Sequence, residues 1–255
     1  MFWYKTWLDT RWRFLIGLAL LMCSAGAVVF MYPKVQQLMP LVPNVDVSGE
    51  LGRRIKEAAE LSSSYRGYAW SQWFQQNLVQ MWTLFAVLLG SGSLFSQASG
   101  GGTLFTLSLP VSRNHLLGVR TAAGLGELLV LAVVPSLLIP ALAPVVGQTY
   151  GVGEALLHSV CLFVGGAVFF SLAILLSTIF SDVWRPLLVA LSVAVALALS
   201  EQVFRELSPY GIFGVMTGET YFRTGSLPWP GLFASAAVSS ALMYVAAFNV
   251  AHRDF

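Results

Sequence analysis

Long uninterrupted runs of apolar residues dominate the chain, and polar residues gather in the shorter stretches between them. A helix needs about 20 mostly apolar residues to cross a bilayer. Six runs reach that length, at Phe14–Tyr32, Phe74–Phe95, Leu116–Val146, Ala155–Phe180, Trp184–Phe204 and Leu232–Val250. Runs such as "LLVALSVAVALAL" do not alternate in polarity as the strands of a membrane barrel would. The pattern therefore predicts an all-α integral membrane protein with six transmembrane helices in a single domain, residues 1–255.

Composition agrees with this pattern, because 56% of the 255 residues are apolar and only 10% are charged. The third run contains Pro135, Pro140 and Pro144, which predict a kink or a break near its far end. The first run is followed by "FMYPKV" and by no clear small-residue cleavage site. We therefore expect a retained membrane anchor there and not a cleaved signal peptide.

Orientation follows from the arginines and lysines near the span ends. Six spans place both termini on one side, and the cations divide evenly. The terminal side would hold Lys5, Arg11, Arg13, Arg113, Arg120, Arg185 and Arg253, and the other side Lys34, Arg53, Arg54, Lys56, Arg66, Arg205 and Arg223. Three cations of the second group lie in the middle of the longest loop, where charge biases orientation least. We therefore expect both termini in the cytoplasm.

Two amphipathic stretches flank the first span. Residues 1–13 place Trp3, Trp7 and Trp12 on one helical stripe, which predicts an amino-terminal helix anchored in the membrane interface by its rings. A role of this helix in transmitting motion is the alternative to a generic anchor. Residues 33–73 read as an extracytoplasmic loop that contains a short amphipathic helix, with Ser48 as its N-cap.

Catalytic signatures are absent from the sequence. It has no phosphate-binding loop, no HExxH and no G-x-S-x-G, and the three histidines are far apart. Cys23 and Cys161 both fall inside predicted spans and lack the spaced partners of a metal site. Glu127 is the one carboxylate that falls well inside a span, while Glu201 lies at a span edge, so Glu127 is a candidate intramembrane polar site. The alternative is a structural carboxylate that lies near the interface or hydrogen-bonds a neighbouring helix.

The connection between the second and third spans, residues 96–115, is patterned unlike a linker. "TLFTLSL" has helical character, Pro110 stops it, and "VSRNHLLGVR" restarts a helix with Ser112 as a reasonable N-cap. A short helix held between two spans is suited to transmit force to both of them. We therefore interpret residues 96–115 as a cytoplasmic coupling loop.

Here the chain resembles a known family. "GTLFTLSLPVSR", the ending "FNVAHRDF" and the six-span plan are similar to ABC-2 type transporter permeases, the membrane subunits of ATP-binding cassette transporters. The resemblance covers essentially the whole chain and implies the ABC-2 type exporter fold. It also implies location in a prokaryotic cytoplasmic membrane as a multi-pass protein. The chain departs from the family where "SQASGG" precedes Gly102 and Thr103 without the acidic residues that relatives commonly carry there.

The resemblance implies a coupling helix that docks on a separate ATPase subunit. Carried over, its residues are Gly102, Thr103, Leu104, Pro110, Val111, Ser112 and Arg113. For Arg113, a residue that merely enforces orientation is the alternative. The implied partners are ATP-binding cassette subunits, membrane lipid and a second copy of the chain or a homologous permease, and no nucleic acid. ATP and magnesium would bind the partner, so this chain would hold no cofactor and would not itself be an enzyme.

The stretch between the last two spans, residues 205–231, is partly apolar and rich in glycine and proline. "YGIFGVM" is apolar enough to enter a bilayer but too short to cross it. We interpret the stretch as a re-entrant extracytoplasmic segment, with a plain extracellular loop as the alternative. For the whole chain, the other functional hypotheses are a non-transporting scaffold or sensor subunit and an ion-coupled carrier that uses Glu127.

Overall fold

The computed structural model of the chain describes residues 2–38, 52, 59–92, 113–180, 182–203 and 211–252, and no strand occurs among them. The chain is all-helical there, as predicted. Its α-helices, in chain order, are α1 (Phe2–Leu38), α2 (Tyr65–Ala69), α3 (Leu78–Gly90), α4 (Arg113–Leu142), α5 (Val152–Ile179), α6 (Trp184–Val203), α7 (Ile212–Thr217), α8 (Glu219–Thr224) and α9 (Trp229–His252). A π-helix, Trp70–Asn77, joins α2 to α3, and a 3-10 turn, Ala143–Val146, follows α4.

Five stretches among the described residues are long and apolar enough to cross a membrane. They are Thr6–Leu38, Asn114–Val146, Val152–Ile179, Trp184–Glu201 and Trp229–His252. These stretches correspond to the first, third, fourth, fifth and sixth predicted spans. The chain therefore has the character of a multi-pass helical membrane protein.

The second predicted span, Phe74–Phe95, differs from the observed helix. Helix α3 has 13 residues and ends at Gly90, while residues 93–95 lie outside the described part of the chain. Its amino-terminal end continues without a break into the π-helix and α2, so residues 65–90 form one helical segment, here called segment 65–90. Glycines at 90 and 92 weaken the helix at its end, and the Ser91 hydroxyl donates to the Val87 carbonyl there. The second predicted span, and with it the total of six spans, stays a prediction.

The amino-terminal stretch also differs from its prediction as a separate interfacial element. Residues 2–13 are the first turns of α1 and run into the first span without interruption. The sequence holds no glycine or proline before Gly17, and nothing in it ends the helix after Arg13. The structure therefore has one helix of 37 residues in place of the predicted separate helix 1–13.

Helix α4 passes through two prolines before it ends. It continues past Pro135 and Pro140 to Leu142 and then tightens into the 3-10 turn. Each proline lacks the backbone N–H that would bond the carbonyl four residues earlier, here those of Leu131 and Ser136. Two hydroxyl groups reach the carbonyl next to Leu131. The Ala132 carbonyl accepts from Ser136 Oγ at 2.6 Å and from Ser159 Oγ of α5 at 3.1 Å. The predicted break thus lies at the carboxyl end of α4.

Segment 65–90 runs antiparallel to α1. Arg13 Nη1 donates to the Leu88 carbonyl at 2.9 Å, near one end of the pair. In the middle, a Cβ at Gly17 would lie 2.9 Å from the Phe85 ring, so the helices approach closely. Tyr68 reaches the Val28 carbonyl at 3.0 Å towards the other end. The two helices therefore pack along most of their length.

Helix α5 lies at the centre of the bundle. It packs against α3, α4, α6, α7 and α9. Two adjacent glycines allow the closest approaches: Gly166 faces the Trp82 ring and Gly165 faces Met216 of α7. Trp82 also donates to the Leu128 carbonyl of α4 at 3.1 Å. These contacts hold α5, α3, α4 and α7 together.

The helical bundle has two opposite ends, here called the loop end and the far end. The loop end is where α3 stops and α4 begins, so both ends of the stretch 93–112 emerge there. The far end lies opposite, where α1 meets α2 and where α5 starts.

Candidate functional site

Most residues of the predicted coupling element lie outside the described part of the chain. This applies to Gly102, Thr103, Leu104, Pro110, Val111 and Ser112. Arg113 is the first residue of α4, and its side chain also lies outside the description. The structure nevertheless describes the two helix ends between which this element is held.

Two guanidinium groups meet the end of α3. Arg13 of α1 donates to the Leu88 carbonyl in the last turn of α3. A Cβ placed on Gly92 would collide with the Arg120 guanidinium of α4 and approach Arg13 Nη1 to 3.5 Å. Glycine at 92 therefore leaves the space that the Arg120 guanidinium occupies. Cations at a helix carboxyl end also interact favourably with its unpaired carbonyls, so Arg13 ties α1 to α3, and the Arg120 side chain of α4 packs beside the same end.

Glu127 extends this group into the bundle. Its side chain is only 6% exposed, and Oε1 accepts a hydrogen bond from Thr10 Oγ1 of α1. Oε2 is buried and has no hydrogen-bond partner among the described residues. Arg120 lies two helical turns earlier on the same helix and interacts electrostatically with both Glu127 and Asp9. The carboxylate therefore links α1 to α4, as the structural alternative expects.

These residues form a compact polar site at the loop end: Thr10, Arg13, Gly92, Arg120 and Glu127. Three helices contribute to it, and two of them flank the stretch 93–112. Charge-assisted hydrogen bonds are strong but depend on geometry. A displacement of the α3 or α4 end would therefore change the lengths and angles of these bonds.

The predicted interfacial anchors lie on the outside of the first turns of α1. Trp3 is 57%, Trp7 39% and Trp12 65% exposed. The Trp7 ring makes an edge contact with Phe14, with the ring centroids 5.4 Å apart. The buried face of the same turns carries Thr10. One face thus presents indole rings outward, and the other joins the polar site.

The far end is built from aromatic rings. Tyr32 of α1 packs against Tyr65 and Tyr68 of α2 at centroid distances of 4.9 and 5.1 Å. Tyr65 in turn meets Tyr150, which lies just before α5. Burial, with a smaller contribution from the Glu154 carboxylate, raises the pKa of the Tyr150 phenol well above its ordinary value. This phenol therefore stays neutral at physiological pH.

His158 and Trp70 hold α7 against the rest of the bundle. Both contact the Thr217 carbonyl at the end of α7, through His158 Nδ1 at 3.2 Å and Trp70 Nε1 at 3.1 Å. His158 also stacks on Phe74, with the centroids 4.6 Å apart. Gly218, which follows, has φ of 63°, and a Cβ there would lie 2.6 Å from His158 Nδ1. The chain therefore needs glycine at this turn for both conformation and space.

Helix α8 completes the far end. Its Phe222 ring stacks on Trp70 with the centroids 4.3 Å apart, and the Arg66 guanidinium lies 5.3 Å from the centroid of the Phe222 ring. Arg66 also pairs with Glu154 at 3.0 Å. Rings and cation together hold α8 on segment 65–90.

The predicted re-entrant stretch contains α7 and α8. Residues 204–210 lie outside the described part, but Glu201 at the end of α6 accepts from the backbone N–H groups of Phe213 and Gly214 at 3.1 and 3.3 Å. A carboxylate is a good partner for the unpaired N–H groups at a helix start. Burial of α7 within protein is the condition that the re-entrant interpretation requires.

The described residues of this site include no cluster of metal ligands and no paired nucleophile. No group of three or more metal-ligating side chains occurs in the part of the chain that the structure describes. Cys23 and Cys161 are both free thiols. What the polar site can do is hold helices together and release them.

The sequence analysis found Glu127 but missed its partners. Arg13 and Arg120 were treated as orienting charges, and Thr10 was not singled out. A spacing of seven residues places Arg120 and Glu127 on one helix face, and this signal was available. The contact with Thr10 joins two distant parts of the chain and has no sequence signal.

Comparison of this chain with protein-family models, with curated proteins and with solved structures found no match.

Proposed function

We propose that this chain is the membrane permease subunit of an ABC-2 type transporter, an exporter driven by a separate ATP-binding cassette subunit. The observation that carries the proposal is the stretch 93–112. Its sequence resembles the coupling element of that family, and it starts and ends at neighbouring helix ends, where Arg13 bonds the end of α3 and Arg120 of α4 lies beside Gly92. A partner that pushes this stretch would act on α1, α3 and α4 at once.

The packing of segment 65–90 supports the six-span arrangement that the proposal needs. The segment is about 39 Å long at 1.5 Å per residue, which exceeds the roughly 30 Å of a bilayer core. It also returns along α1, from Leu88 beside Arg13 to Tyr68 beside Val28. Counted as a span, it puts both termini and the coupling loop on one side of the membrane, and we propose that this side is the cytoplasmic one.

The mechanism follows from the polar site. ATP and magnesium bind the partner ATPase, and its closure displaces the coupling loop. Arg13 and Arg120 pass the displacement from the end of α3 to α1 and α4, and Glu127 carries it further along that pair through Thr10. A second copy of the chain or a homologous permease completes the pathway, which opens as the helices tilt.

The test is affinity purification of the tagged chain from its native membrane, with mass spectrometry and an ATPase assay of what accompanies it. We expect a stoichiometric ATP-binding cassette protein. Arg113→Glu should lower its recovery about tenfold, equivalent to 1.4 kcal/mol, because it reverses a charge at the docking element, while membrane insertion stays normal.

The matched control is Arg185→Glu, which reverses an exposed arginine at the start of α6. It should leave recovery of the ATPase unchanged. Unchanged recovery with Arg113→Glu would remove Arg113 from the docking element. A well-folded preparation that contains no ATPase would favour the scaffold or carrier hypotheses over the transporter subunit.

An ion-coupled carrier is the second candidate, because Glu127 is a buried carboxylate with one oxygen unpaired among the described residues. Buried ionisable groups in membrane segments often serve ion pathways. The Glu127 substitution described in the Discussion separates the two candidates.

A further inference from the structure

One exposed stripe of segment 65–90 carries side-chain amides. Gln75, Gln76 and Gln80 are all exposed, and within the described residues no side chain or backbone group hydrogen-bonds to their amides. Gln76 and Gln80 lie about one turn apart, and Leu84, 41% exposed, continues the stripe towards the loop end. The remaining faces of the segment are largely buried.

Neighbouring contacts give the depth of these amides. Phe74 stacks on His158 of α5, and Trp82 faces Gly166 of α5. Residues 75–80 therefore lie alongside residues 158–166 of α5, well inside a helix that is itself a candidate membrane span. The amides are at the depth of the bilayer core, not at its surface.

Most exposed residues at comparable positions on other candidate spans are apolar, and the exceptions, Ser192 on α6 and Ser240 on α9, carry only a small hydroxyl group. Apolar examples are Val160 on α5, Leu129, Val130 and Val134 on α4, and Val189 and Val193 on α6. Such faces are suited to contact lipid. An amide without a hydrogen-bond partner is strongly disfavoured in hydrocarbon. The glutamine stripe is therefore the exposed face least compatible with lipid.

The chemistry of the stripe favours a copy of itself. An amide group both donates and accepts hydrogen bonds, so two identical stripes related by a twofold axis can pair amide to amide. The stripe carries no charge, and two copies would not repel each other. Membrane helices associate through hydrogen bonds of this kind, including those of glutamine. The leucine that follows supplies an apolar continuation of the same contact.

We propose that Gln75, Gln76 and Gln80 form the contact between two copies of this chain, with amides of one copy bonded to amides of the other. This inference rests on the proposed function, which requires a second membrane subunit, and it names the surface and the partner. A homologous permease would satisfy the stripe only if it carried matching amides, whereas an identical chain always carries them, so the proposed partner is an identical chain.

The test uses single cysteines in intact membranes. Gln80→Cys is placed in a chain whose exposed Cys23 is replaced by alanine, and oxidative cross-linking is measured on denaturing gels. Two copies in contact should yield a cross-linked dimer at least tenfold more abundant than with the control Val160→Cys. Val160 is 47% exposed at a similar depth, on α5.

Reaction of the same variants with a membrane-impermeant maleimide separates the other possibilities. Labelling of Gln80→Cys without cross-linking would mean that the stripe lines a water-filled path, and neither reaction would mean that it faces lipid. Either result overturns the proposal.

A second measurement does not depend on cysteine. The combined change Gln76→Leu and Gln80→Leu should lower the dimer fraction in lipid nanodiscs several-fold, because it removes the paired amides but keeps an apolar helix face. Val160→Leu is the control. An unchanged dimer fraction would count against the contact.

The outcomes also separate this proposal from the proposed function. Recovery of the ATPase without a cross-linked dimer would remove only the glutamine contact. A cross-linked dimer without any ATPase would leave the contact standing and remove the transporter assignment.

Discussion

The two ends of the helical bundle are joined by different chemistry. At the loop end, α1, α3 and α4 meet through arginines, a threonine and a buried carboxylate. At the far end, tyrosine, tryptophan, phenylalanine and histidine rings pack against one another. Ring packing depends on filled volume, whereas charge-assisted bonds depend on a few atoms in fixed positions.

This difference indicates how the ends behave when the loop is displaced. A charged group can exchange one carbonyl or carboxylate partner for another over a small distance, and well-packed rings cannot shift without opening space. We therefore expect the loop end to rearrange and the far end to stay fixed. Substitutions at each end test that division.

The largest effect is expected from Trp70→Ala at the far end. Trp70 is 1% exposed, stacks on Phe222 and donates to the Thr217 carbonyl. Its loss should lower the free energy of unfolding by about 3–5 kcal/mol, because it leaves a cavity beneath α7 and α8. Thermal unfolding in detergent measures this. Trp184→Ala, at a position 72% exposed, is the control and should change stability little. Equal effects would show that the far end is not a packed unit.

A smaller effect is expected from Glu127→Gln at the loop end. The amide oxygen can still accept from Thr10, but the amide NH2 takes the place of Oε2, which is buried without a partner among the described residues, so unfolding should become easier by about 1–2 kcal/mol. Transport should remain largely unaltered, because the proposed role of Glu127 is to link helices. Thr10→Val is the matched control and should destabilise to a similar degree. Loss of transport with normal expression of Glu127→Gln would favour the ion-coupled carrier.

The smallest effect is expected from Arg66→Ala at the rim of the far end. Its pair with Glu154 is partly exposed, and such pairs contribute about 0.2–1 kcal/mol. The contact of Arg66 with the Phe222 ring adds a cation–π term, so the loss should fall near the top of that range. Arg223→Ala removes the exposed pair with Glu219 and should cost about 0.3–0.5 kcal/mol. A larger loss for Arg223 would mean that the Phe222 contact contributes nothing.

The sequence predicts the long helices well, because a membrane span is a property of about 20 consecutive residues. Five of the predicted spans match described helices that are long and apolar enough to cross a membrane. Helix junctions were harder to predict. Arg13 and Phe14 sit in one continuous helix and not at a boundary, since a junction requires a residue that ends the helix. The π-helix has no periodicity signal either, and its residues Trp70–Asn77 read as an ordinary amphipathic entry to a span.

The candidate site could be predicted only in part. Glu127 stands out because a carboxylate is conspicuous in an apolar run, and Arg120 follows from its position on the same face. Thr10, Arg13 and Gly92 become partners only through packing between helices that are distant in sequence. Similarly, the capping of α7 by Glu201 depends on the path of the chain between them.

The π-helix is the place in segment 65–90 where α3 can rotate about its axis relative to α2. Its turns are wider than those of an α-helix, and Asn77 Nδ2 donates a hydrogen bond to the Gln72 carbonyl at 2.7 Å. Each residue of an α-helix advances by about 100°, and a π-turn advances by less. Tightening the π-helix into an α-helix would therefore rotate α3 about its axis relative to Tyr65 and Tyr68, which the far end holds fixed. Such a rotation would turn Gln80 without moving the far end. A displacement of the coupling loop could therefore change the direction in which Gln80 faces.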